Sequence, residues 1–108
     1  MNDTETLALG EFEQMVLLAV LQAGDDAYGM AVHAELKRRA SRRVALGAVY
    51  MTLDRLDKKG LLQSWTTEPT PERGGRAKRC YGVTRNARAA LRASRRALTN
   101  LWEGLEGI

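Results

Sequence analysis

The sequence predicts a mainly α fold with one small β-hairpin, of the α+β class, and three observations predict it. Four segments carry apolar residues at helical spacing. Two short runs, the first holding Trp65-Thr66-Thr67, flank a loop that contains both prolines and a glycine pair. The 108 residues are enough for one domain with a modest core.

The first helix is expected over 11–23. Gly10 precedes it, Glu11 and Glu13 lie in its first turn and Gly24 follows it, and these are start and stop signals. From Met15 to Leu21 it is apolar all round, so it needs cover on more than one side. The second helix is expected from about Tyr28 to Ala40, with Met30, Val32, Ala34 and Leu36 as its apolar members. Gly29 allows close backbone packing near its start. Lys37, Arg38 and Arg39 suit the negative end of its dipole.

The third helix is expected from Leu46 to Lys59, stopping at Gly60. Leu46, Val49, Tyr50, Leu53 and Leu56 form its apolar stripe. Its other face is expected to carry Ala48, Met51, Thr52, Arg55, Lys58 and Lys59. Residues 61–67 and 77–83 read as the two strands, with Trp65 covering the core and Cys80 a small, at least half-buried side chain. Thr84 caps a final helix whose positions Ala87, Leu91, Ser94, Leu98, Leu101 and Leu105 follow heptad spacing.

Helix, helix, turn, helix, hairpin, helix is the order of a winged helix-turn-helix. The expected division is a flexible segment at 1–9, the winged domain at 10–83 and a C-terminal dimerisation helix at 84–108. Charge follows the same order. Residues 1–35 hold seven acids and neither Lys nor Arg, whereas all 17 Lys and Arg fall in 36–96, against four acids. One face is therefore expected to meet a polyanion.

A helix that enters the DNA major groove needs one apolar side to hold it on the core and one small or polar side for the bases. Residues 46–59 meet that description. Gly47 and Ala48 allow close approach, Thr52 and Arg55 are placed to reach bases or sugar-phosphate, and Lys58 and Lys59 are placed for phosphate. Tyr50 is expected to pack on the core with its hydroxyl near a phosphate. Arg73, Gly74, Gly75, Arg76, Lys78 and Arg79 would form the wing, where arginine beside glycine suits a minor groove.

These residues resemble the PadR family of bacterial transcriptional regulators. The family pattern L-G-x-x-E-x-x-V-L stands here as Leu9-Gly10-Glu11-Phe12-Glu13-Gln14-Met15-Val16-Leu17. A Tyr-Gly pair opening the second helix stands as Tyr28-Gly29. The third-helix pattern G-x-[LV]-Y-x-x-L-x-R-L-[ED]-x-x-G-L is matched in full from Gly47 to Leu61. Ala48 and Met51 depart from the Thr and Pro often found there, which bears on the DNA sequence read more than on the fold.

The resemblance implies a homodimer formed by the last helix against the partner's first helix, with double-stranded DNA as partner at an inverted-repeat operator. The interface is assigned to Phe12, Met15, Leu18, Leu91, Leu98, Leu101, Trp102 and Leu105. The resemblance further implies a flat aromatic effector held at that interface by Trp102. The alternative is a winged-helix protein-interaction module without DNA binding.

An enzyme is not expected. Cys80 and His33 lack a base-orienting partner set, and the chain has no glycine-rich phosphate loop. One Cys and one His fall short of a protein-only tetrahedral metal site, so no metal or cofactor is expected. No apolar run approaches the ~20 residues that span a bilayer, and residues 1–9 carry Asp3 and Glu5 but no basic residue, so the expected location is the cytoplasm.

Overall fold

The computed structural model describes residues 9–68 and 77–108. Helix α1 spans Glu11–Ala23, a short 3-10 turn Gly24–Asp26, α2 Gly29–Ala40, α3 Leu46–Lys58, strands β1 and β2 Leu62–Thr66 and Arg79–Val83, and α4 Arg85–Trp102. Four helices and one antiparallel hairpin are thus the described elements, in the order the sequence predicts. Most of the expected 1–9 segment lies outside the described residues.

Helix α1 is central. It begins where the Gly10 N–H donates to Glu13 Oε1 at 3.1 Å, and it ends at Gly24, whose φ of 69° is left-handed and suits glycine. Val16, Leu17, Ala19 and Val20 are buried against α2, α3 and β2, whereas Leu18 and Leu21 remain exposed on the far side. The all-round apolar character of 15–21 is therefore only partly used within one chain.

Helix α2 buries Val32 and Leu36. Met30 and Ala34 face outward, because residues two apart on a helix lie on nearly opposite sides. Helix α3 crosses α1 and α2 through Val49, Leu53 and Leu56, all fully buried. Each such side chain stabilises the fold by roughly 1.5–3 kcal/mol through removal of apolar surface from water.

The hairpin pairs Leu62 with Val83 and Thr66 with Arg79. It is held to the start of α2, since Tyr28 bridges Cys80 and the Tyr81 N–H donates to the Ala27 carbonyl at 2.9 Å. Cys80 is buried, as expected. Trp65 instead lies partly exposed across Gly82, covering the hairpin surface rather than closing the core.

Thr84 caps α4 as expected: its Oγ1 accepts from the Ala87 N–H at 3.3 Å and donates to the Gly60 carbonyl at 2.9 Å. The heptad spacing splits into two halves. Ala87 and Leu91 are buried in their own chain, and Ser94 Oγ donates to Gln14 Oε1 at 2.7 Å. From Arg95 onward every residue is exposed. The helix ends at Trp102, so Leu105 lies beyond it in a turn and not on a continuous helical seam.

Candidate nucleic-acid interface

The exposed face of α3 follows from its register on the core. With Val49, Leu53 and Leu56 turned inward, Gly47, Met51, Asp54 and Lys58 lie at 4-3-4 spacing along the outside, with Ala48 beside them. Met51 is 69% exposed at the middle of this face. The surface is small and shallow at its N-terminal end, which allows close approach of a partner, and carries an Asp54–Lys58 pair at 3.1 Å further along.

Thr52 does not share that face. It stands three residues after Val49 and four before Leu56, which puts it on the inner stripe, and it is only 3% exposed. The expectation that it points outward is corrected. Its Oγ1 accepts from Arg55 Nη2 at 3.3 Å. Tyr50 is likewise not a core residue: it lies at the edge of the stripe, exposed, with its ring laid across Gly29.

Arg55 and Lys59 are turned towards α1. Lys59 Nζ lies 2.8 Å, and Arg55 Nε 3.5 Å, from Glu13 Oε2. Burial pushes the Glu13 carboxyl upward, but hydrogen bonds from Lys59, the Gly10 N–H and Arg55, with the Lys59 charge, outweigh it. The net result is below the ordinary carboxylate value.

At the loop end of the hairpin, where Arg79 pairs with Thr66, Arg79 Nη2 lies 3.1 Å from Asp57 Oδ2 and also donates to Ser64 Oγ, itself bonded to Asp57. Lys78 Nζ stands 3.7 Å from the centre of the Tyr28 ring, a cation–π contact. Tyr28, Tyr50, Lys78 and Arg79 border a recess of about 530 Å3 between α2, α3 and the loop end of the hairpin. Arg73, Gly74, Gly75 and Arg76, the expected wing tip, lie outside the described residues.

Sequence reasoning missed the acids. Glu13, Asp54 and Asp57 each hold a cation that the sequence alone assigns to DNA. The i,i+4 spacing of Asp54 and Lys58 was a readable signal. The Glu13–Lys59 contact joins residues 46 apart and had none.

On the opposite side, α1 and α4 form an open apolar groove of about 440 Å3, floored by Leu18, Leu21, Leu91, Leu98 and Trp102. Arg88, Arg92 and Arg95 rim it, and among the described residues none of these has an ion-pair partner. Of the expected interface residues, Phe12 and Met15 are half-buried against their own core and Leu91 is buried. Leu18, Leu98, Leu101, Trp102 and Leu105 are exposed. Among the described residues no cluster of three or more His, Cys, Asp or Glu is placed to hold a metal ion, and no helix is long and apolar enough to cross a membrane.

Three packed helices, a hairpin tethered beside the third and a terminal helix define a winged helix-turn-helix protein. The same arrangement occurs in a PadR-like transcriptional regulator from Bacillus cereus, at a TM-score of 0.71 and 18% identity over 89% of this chain and 88% of that one. The family described as "Transcriptional regulator PadR-like family" matches residues 17–93. The chain is also 40% identical over 79 residues to Transcriptional regulator Rv3488 of Mycobacterium tuberculosis, covering 73% of this chain and 69% of that protein. It belongs to the PadR-like family of transcriptional regulators. Part of the Orc1 protein of Aeropyrum pernix, solved in complex with DNA, shares the fold at a TM-score of 0.62 and 22% identity, over 82% of this chain and 25% of that one.

Proposed function

We propose that this regulator binds double-stranded DNA as a homodimer and represses transcription in the cytoplasm by occupying an inverted-repeat operator. The observation that carries the reading is the outer face of α3. Gly47, Ala48 and Met51 form a shallow, uncovered strip beside a recess bordered by Lys78 and Arg79. A helix with one side locked on the core and small residues on the other fits the major groove. Tyr50, Lys58, Lys78 and Arg79 flank that strip and supply phosphate contacts.

Family membership and the DNA-bound Aeropyrum protein support DNA as the partner. A dimer is supported by the exposed apolar residues of α1 and α4, chiefly Leu18, Leu98, Leu101 and Trp102, which need cover. A two-fold pair of reading helices calls for half-sites about one DNA turn apart. Repression requires no surface beyond the one that holds DNA.

Selection of bound duplexes from a random pool tests the reading. Enrichment of an inverted repeat is the expected result. No enrichment, with binding confined to other proteins, would instead favour a protein-interaction module.

A second reading concerns an effector. The α1–α4 groove sets Trp102 among Leu18, Leu21, Leu91 and Leu98, a surface suited to a flat aromatic molecule. Quenching of Trp102 emission by aromatic compounds, retained in Trp65→Phe, is the expected result; no quenching across a broad panel would overturn it.

A further inference from the structure

Glu13 joins α1 to two cations of the reading helix region. Its Oε2 receives Lys59 and Arg55, and its Oε1 receives the Gly10 N–H. The side chain of Glu13 is 13% exposed, whereas those of Lys59 and Arg55 are 47% and 50% exposed. A carboxylate that solvent scarcely reaches thus holds two cations that a phosphate in solvent is able to reach. The other pairings of the interface differ. The acids that hold Lys58 and Arg79 are themselves more open, at 58% and 26% exposure.

We propose that Glu13 is a specificity-determining residue for DNA binding, acting as a positioning residue through Arg55 and Lys59. The inference rests on the DNA-binding reading above. Phosphate contacts are independent of sequence, and each one made by a released cation adds about 0.9 to the slope of log affinity against log salt on duplex DNA. With Glu13 in place, the three groups carry one net positive charge rather than two, and both cations are directed towards α1. Indiscriminate phosphate binding is weakened, while Gly47, Ala48 and Met51 on the outer strip remain available to read bases. The ratio of specific to non-specific affinity rises accordingly.

The test is Glu13→Gln, which keeps the shape and one acceptor oxygen, enough for the Gly10 N–H, but replaces the oxygen that faces Lys59 and Arg55 and removes the charge. Affinity is measured across a salt series for a random-sequence duplex and for the best duplex recovered by selection. On the random duplex, binding tightens severalfold at low salt and the slope steepens by about 1–2, one or two phosphates' worth. The specific-to-non-specific ratio falls. Adding Arg55→Gln and Lys59→Gln to Glu13→Gln returns the slope towards the wild-type value.

A Glu13 that only braces α1 against α3 would weaken both duplexes alike and leave the slope unchanged, and that result overturns the proposal. Should Glu13→Gln fail to fold, the Arg55→Gln/Lys59→Gln variant decides with Glu13 present. The expected flattening is less than one phosphate's worth; a loss of about 1.8 in slope means both cations already hold DNA, which also overturns it. Wild-type protein that binds no duplex at low salt would instead overturn the DNA-binding reading itself.

Discussion

Tyr50 of α3 lies across Gly29 of α2 so closely that a β-carbon at position 29 would overlap its ring. The absence of a side chain at Gly29 is what lets Tyr50 lie flat at the border between α3 and the loop end of the hairpin. Gly29→Ala is expected to destabilise the fold by about 1–3 kcal/mol through overpacking and to weaken DNA binding by displacing Tyr50. Adding Tyr50→Ala should recover most of the stability lost, because the three atoms nearest that β-carbon all belong to the Tyr50 side chain. Chemical denaturation of the single and double variants measures it, and additive losses would sink the argument.

Leu53 and Leu101 are both apolar helix residues, but one is fully buried and the other 72% exposed. Leu53→Ala should lower stability by about 2–5 kcal/mol, as cavities in closed cores do. Leu101→Ala should shift a monomer–dimer equilibrium towards monomer in sedimentation, and should change the stability of the monomer by no more than about 0.5 kcal/mol. Equal effects of the two on monomer stability would mean that α4 packs within its own chain further than Leu91.

The contrast between those two residues also marks what the sequence makes legible. The order of elements, the Gly24 and Gly60 helix ends and the Thr84 cap all depend on a few neighbouring residues, so local chemistry predicts them. The polarity of Thr52 points outward, whereas its offsets from Val49 and Leu56 put it on the inner stripe, and position prevails. Heptad spacing puts Leu105 on the helical seam because it carries no sign of where a helix stops. The holding of Arg55 and Lys59 by Glu13 was illegible for a different reason: it depends on how α1 crosses α3, which spacing within either helix does not encode.

Thr84 serves two elements at once, capping α4 and donating to the Gly60 carbonyl at the end of the α3 turn. Thr84→Ala removes both bonds and should cost about 0.5–2 kcal/mol, the range for a lost N-cap. Thr84→Ser keeps the hydroxyl and should recover most of it. Amide exchange along the first turn of α4 should rise in the alanine variant alone. A serine variant as unstable as alanine would show that the methyl group, not the hydroxyl, matters here.

Glu13 also sets an expectation for acid. Its folded pKa is depressed below the ordinary carboxylate value of 4.5. A depressed carboxyl contributes stability that is complete above the unfolded value and is lost as pH falls through the folded one. Wild-type protein should therefore lose stability as pH drops below about 4.5, by the part that Glu13 supplies, while Glu13→Gln should show a shallower acid limb. Glu35, held by Arg38 and Arg39 at 2.7 Å each, is shifted the same way, but its partners are largely exposed and lie three and four residues along the same helix, so Glu35→Gln should flatten the limb less. Thermal melts from pH 7 to pH 3 compare the three proteins. Parallel curves for wild type and Glu13→Gln would mean that the Glu13 contacts persist in the unfolded chain or contribute nothing to folding.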